Sequence, residues 1–87
     1  MHRAVIVVEL KSSKGARALY SSLKPEASSM ARRGFSSSVD LSEEGSPNVS
    51  IFIEAPTLSR LRAALNSYLR WLSSFKEASS LILGEEL

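Results

Sequence analysis

The chain contains no cysteine and a single histidine among 87 residues. The first absence excludes disulfides and thiolate metal sites. The second leaves only His2, beside a terminus that ordinarily frays, so no histidine-based metal cluster or general base can be assembled. Glycine is scarce too, and positions 15, 34, 45 and 84 are too scattered to cradle a phosphate. No apolar run approaches the length that crosses a bilayer. Met1 to Leu10 is apolar with a basic Arg3, but Glu9 and Lys11 close the run early and no small-residue cleavage site follows. A signal peptide is therefore not expected, and the cytoplasm is the expected compartment. Excess charge is also lacking: a net charge of +2 permits contact with nucleic acid without arguing for it, although the pI is near 9.3.

What is present is a hydrophobic content of 44% against 23% charged residues, the balance of a soluble globular protein. The length allows one domain spanning 1–87, with a core that is marginal unless association adds buried area. The acidic pairs Glu43–Glu44 and Glu85–Glu86 fall in a turn and a tail, where solvated charge explains them. Asp40 lies on the polar side of a strand without an evident partner. Serines abound, yet none sits in a G-x-S-x-G setting. The expectation is a non-catalytic chain with no cofactor and no metal.

The longest pattern begins after Pro56, where Thr57 suits a helix N-cap and Leu58, Leu61, Leu65, Tyr68, Leu72, Phe75 and Ile82 recur at near-helical spacing. This predicts one long helix over 57–83, stopped by Gly84. Before it, residues 3–10 read as a strand, since Val5, Ile6, Val7 and Val8 are all β-branched. Ser12 or Ser13 then caps a short helix over 13–23, in which Ala16, Leu19, Tyr20 and Leu23 share a face and which Pro25 ends. Alternation at Phe35, Ser37, Val39 and Leu41 predicts a strand over 34–41. A second alternation, at Val49, Ile51 and Ile53, predicts another over 48–54. The intervening Ser42 to Pro47 segment makes these two a hairpin.

The predicted fold is α+β with the topology β-α-β-β-α. Its three strands form an antiparallel sheet in the order 1-3-2, with both helices on one face. The first and second strands are then open edges, and Val5, Val7 and Phe52 lie on the uncovered face, so a homodimer is expected.

Two surfaces are candidates for binding. On the long helix, Ala64, Trp71, Phe75 and Ile82 widen the apolar stripe on one flank beyond what a small sheet covers, and Tyr68 on the same helix and Tyr20 on the first helix are candidates for the same partner surface. Trp71 suits either a partner anchor or a plug closing the end of the core. The second surface is basic: Arg32 and Arg33 precede the second strand, and Arg60, Arg62 and Arg70 sit on the long helix. They suit either nucleic-acid contact or ordinary solvation, because acidic residues are interspersed. Neither the G-x-x-G of a KH domain nor the strand aromatics of an RRM is present.

Three stretches carry a family resemblance. They are Ala18-Leu19-Tyr20-Ser21-Ser22-Leu23-Lys24-Pro25-Glu26, the hairpin end Ile51-Phe52-Ile53-Glu54-Ala55, and Leu61-Arg62-Ala63-Ala64-Leu65-Asn66-Ser67-Tyr68-Leu69-Arg70-Trp71-Leu72. In this order and at these separations the chain resembles the CTAG/Pcc family, from its first strand to about Leu83. Members of that family are the small dimerising subunit of the KEOPS complex, which makes threonylcarbamoyl-adenosine in tRNA. The resemblance implies a non-enzymatic homodimeric scaffold whose helices bind the ATP-dependent threonylcarbamoyl transferase subunit, with tRNA met mainly through the complex. The alternative is a free-standing small RNA-binding α+β module, which the basic pI and the helix arginines favour.

Overall fold

The computed structural model describes residues 1–73 in full and residues 78–86 by their backbone. The β-branched run near the N-terminus forms β1 (His2–Leu10). Ala4, Ile6, Val8 and Leu10 are buried along it, while Val5 and Val7, on the other face, are only half-buried. Strand β3 (Asn48–Ala55) repeats the alternation, burying Val49, Ile51, Ile53 and Ala55. The two strands pair antiparallel with Ile6 opposite Ile51, so the register puts both apolar sets on one side. Strand β2 (Ser36–Ser42) lies on the far side of β3, with Val39 opposite Ile51. The three strands thus stand in the predicted order 1-3-2.

Helix α1 (Ser13–Arg32) and helix α2 (Leu58–Leu72) supply the rest of the core. Ser12 Oγ accepts from the Gly15 amide at 3.0 Å, and Thr57 Oγ1 accepts from the Arg60 amide at 3.1 Å. Each hydroxyl satisfies one donor that the first helical turn leaves free. Leu19, Leu23 and Met30 of α1, and Leu61, Ala64, Leu65, Tyr68 and Leu72 of α2, are buried against the sheet.

The structure corrects the predicted elements in three places. Helix α1 does not end near Pro25 but runs on to Arg32. Pro25 is exposed, so the lost amide bond falls on the wet side, and burial of Met30 seven residues beyond Leu23 holds the extra turns. The helix stops at Gly34 (φ +89°), where the amides of Gly34 and Phe35 donate back to the carbonyls of Ala31 and Met30. This is a Schellman closure, which needs a residue at ease in the left-handed region. Gly34 therefore belongs to the turn and not to the strand predicted over 34–41.

The helix predicted over 57–83 ends at Leu72, and residues 78–86 form a fourth strand, β4 (Ala78–Glu86). It pairs antiparallel with β1, Val5 opposite Gly84 and Val7 opposite Ile82, which completes the sheet order β2-β3-β1-β4. A helix of 27 residues would measure about 40 Å at 1.5 Å per residue. The whole molecule extends only 35 × 23 × 22 Å, and a second helix face that nothing covers is worth less than a ladder that satisfies the outer backbone groups of β1. The predicted edge role of the first strand falls with it: β1 is an interior strand, so it offers no edge for dimerisation. Strand β2 remains an edge.

Candidate functional site

The residues proposed as a partner surface separate once placed on these elements. Ala64 and Tyr68 are buried in the chain's own core. Tyr68 also ties α2 to β2 through a 2.7 Å hydrogen bond between its hydroxyl and that of Ser37. Burial pushes the Tyr68 phenol above its ordinary value; the Ser37 hydrogen bond opposes this, as does Arg33, while Glu26 adds to it. Tyr20 and Trp71 are half-buried and pack against the edge of the same core. The Lys24 ammonium stands over the Tyr20 ring, 4.9 Å from its centre. Ile82 is in β4 and not on the helix. Phe75 lies outside the described residues. Of the six, Tyr20 and Trp71 therefore combine helix position with accessible aromatic surface.

Among the described residues no helix covers the opposite face of the sheet. Phe52 is 43% exposed there, directly opposite Val5 on one side and Ser38 on the other. The adjacent rung joins Asp40, Ser50 and Val7, and an ion pair between Arg3 and Glu54 closes one end of the patch. The alternation had already put Val5, Val7 and Phe52 together. The ion pair that frames them could not be read from it, because it depends on the β1–β3 register.

Of the five arginines singled out in the sequence, Arg32, Arg33 and Arg60 are brought to the turn between α1 and β2. Arg60 Nη1 lies 3.7 Å from the point where a Cβ on Gly34 would stand. Arg33 is held by Glu26 at 3.7 Å and by the Met30 sulfur at 3.3 Å. Arg62 is about 200° around α2 from Arg60, and Arg70 is about 15 Å further along its axis. Beyond the Arg-Arg-Gly run itself, no local signal points to the Arg60–Gly34 approach, which depends on how α2 packs. His2 is half-buried, its Nδ1 without a hydrogen-bond partner among the described residues. Among the described residues no three side chains are grouped as metal ligands would be, and no helix is long and apolar enough to cross a membrane.

The sequence model of the family described as "Transcription factor Pcc1" matches residues 3–76, from β1 to beyond the end of α2. The chain belongs to this family. No curated protein sequence matches it. Among solved structures, a Deinococcus radiodurans protein assigned by name to the antibiotic biosynthesis monooxygenases superposes with a TM-score of 0.78 at 14% identity, over 100% of this chain and 91% of its own. A dimeric ferredoxin-like protein from an uncultured marine organism gives 0.71 at 8% identity, over 100% and 93%. The designed protein Ferredog-Diesel gives 0.59 at 15%, over 95% and 82%. At these identities the likeness is one of fold, and the fold is ferredoxin-like.

Proposed function

We propose that the chain is a non-catalytic, dimerising scaffold subunit of the KEOPS complex, acting in the cytoplasm, with its helices bound to the threonylcarbamoyl transferase subunit. The observation that carries this reading is the Pcc1-family match over residues 3–76, which takes in both helices and the three strands behind them. Tyr20 and Trp71 give the helix layer two half-buried aromatic side chains, the kind that anchor helix-to-helix contacts. Self-association is assigned to the open sheet face. Phe52 is exposed at its centre, and one of the fold neighbours is described as dimeric.

Co-expression with the transferase subunit tests the proposal. The wild-type chain is expected to co-purify with the transferase, and Trp71→Ala to weaken that association by about 2 kcal/mol while the isolated chain keeps its circular dichroism spectrum. Unchanged capture by Trp71→Ala, together with unfolding of the free chain, would assign Trp71 to the core. A wild-type chain that binds bare tRNA tightly but never the transferase would favour the free-standing RNA-binding module instead.

A further inference from the structure

We infer that Arg32, Arg33 and Arg60, gathered around Gly34, form a contact site for the phosphodiester backbone of RNA. Two elements that are far apart in sequence supply the cations. Arg32 and Arg33 come from the end of α1, and Arg60 reaches across from the first turn of α2 to lie over Gly34. Gly34 shapes the arrangement through its backbone: its φ of +89° turns the chain sharply after Arg33, and Arg60 Nη1 lies beside it, 3.7 Å from the point where a Cβ would stand. All three arginines are exposed.

The carboxylates of the described residues do not neutralise the cluster. Glu26 engages Arg33 alone, at 3.7 Å, and Glu54 is paired with Arg3 on the other face of the sheet. Neither Arg32 nor Arg60 has an ion pair among the described residues. Glu85 and Glu86 belong to β4. Strand β4 lies three strand spacings from β2, about 14 Å, at the opposite edge of the sheet.

The cluster is an open surface, and planar guanidinium forks on such a surface suit a row of phosphates. Choosing RNA as the polyanion rests on the tRNA-modification reading above. Contact with phosphates positions an RNA without reading its sequence, so the expected role is to orient the substrate on the assembly.

The test uses the full chain and an unmodified tRNA transcript, with binding followed by fluorescence anisotropy over a salt series. Arg32→Gln/Arg60→Gln is expected to lose about tenfold in affinity and to flatten the log–log salt slope by roughly 1.4–1.8, the loss of two phosphate contacts. Lys11→Gln/Lys14→Gln removes the same charge at the other end of the molecule and is expected to change affinity by less than about twofold. Millimolar inorganic phosphate at constant ionic strength should not displace the transcript. Equal losses in the two double variants, no loss in either, or displacement by inorganic phosphate would each overturn the inference. Capture of the transferase is measured on the same variants. A wild type that captures the transferase without a difference between the double variants on RNA overturns the cluster and leaves the scaffold. RNA binding that depends on Arg32 and Arg60, with no capture by any variant, supports the cluster and overturns the scaffold.

Discussion

The Tyr68 hydroxyl is a polar group at the end of a fully buried side chain, and it shares a hydrogen bond with the Ser37 hydroxyl across the helix–sheet interface. Tyr68→Phe keeps the ring in the core and removes this bond, so a loss of about 1 kcal/mol is expected in chemical denaturation at neutral pH. The alkaline limb carries a second signature. A phenol whose folded value is raised binds its proton more tightly in the native state than in the unfolded one. Its contribution is therefore complete below the unfolded value of 10.0 and is lost as pH rises through the higher folded one. In Tyr68→Phe the fall in melting temperature above pH 10 should be shallower than in the wild type. Leu65 gives a contrasting case: it is 5% exposed at the centre of the stripe on α2. Leu65→Ala is expected to cost roughly 2–5 kcal/mol, a large part of the stability available to so small a domain. At this scale the sequence was a good guide to Leu65, because periodicity identifies a stripe's centre. It was a poor guide to Tyr68, because an aromatic at a stripe's margin has the same spacing whether it meets a partner or its own sheet.

Helix α1 shows why a breaker residue does not fix an element's end. Proline in a helix interior costs about 3 kcal/mol through a lost hydrogen bond and a clash with the preceding turn. That penalty is outweighed here by burying Met30 and closing the helix on Gly34. Pro25→Ala should accordingly raise the melting temperature without altering the fold, and a lowered one would show that the proline is needed where it stands. The region after Leu72 is the opposite case. Leu81, Ile82 and Leu83 form a short apolar run that fits a strand as well as a helix. Ile82 also happened to fall in phase with α2. The deciding factor was the unmet outer edge of β1, a tertiary demand that local spacing does not encode. The β-branched first strand, the two alternating strands and the cap at Thr57 were legible because each has a local physical cause, whereas the choice of Ser12 over Ser13 as the first cap came with the structure.

For the molecule as a whole, the layer of helices leaves one sheet face whose apolar centre is Phe52. Phe52→Lys places a charge on that face without disturbing the buried side of β3. If the open face joins two copies, the variant should be monomeric in light scattering at concentrations where the wild type is dimeric, with its secondary structure retained. A variant that stays dimeric would move the interface to the β2 edge. There, proline at Val39 is the corresponding probe, since it deletes a ladder donor.

The place of β1 between β3 and β4 has a kinetic consequence. Its ladder to β4 joins Arg3 to Glu86, the longest separation in sequence that the sheet contains. A chain emerging residue by residue cannot close that ladder until β4 is available, and such distant pairings slow folding. The same register brings Arg3 and Glu86 side by side, about one strand spacing apart. A few glycines joining them, with the chain reopened in the exposed 43–46 turn, would convert the slowest pairing into a hairpin. Stopped-flow refolding of that permutant should be faster than that of the natural order. Equal rates would mean that the rate-limiting step lies elsewhere, in the docking of the helices or the β2–β3 pairing that the permutation opens.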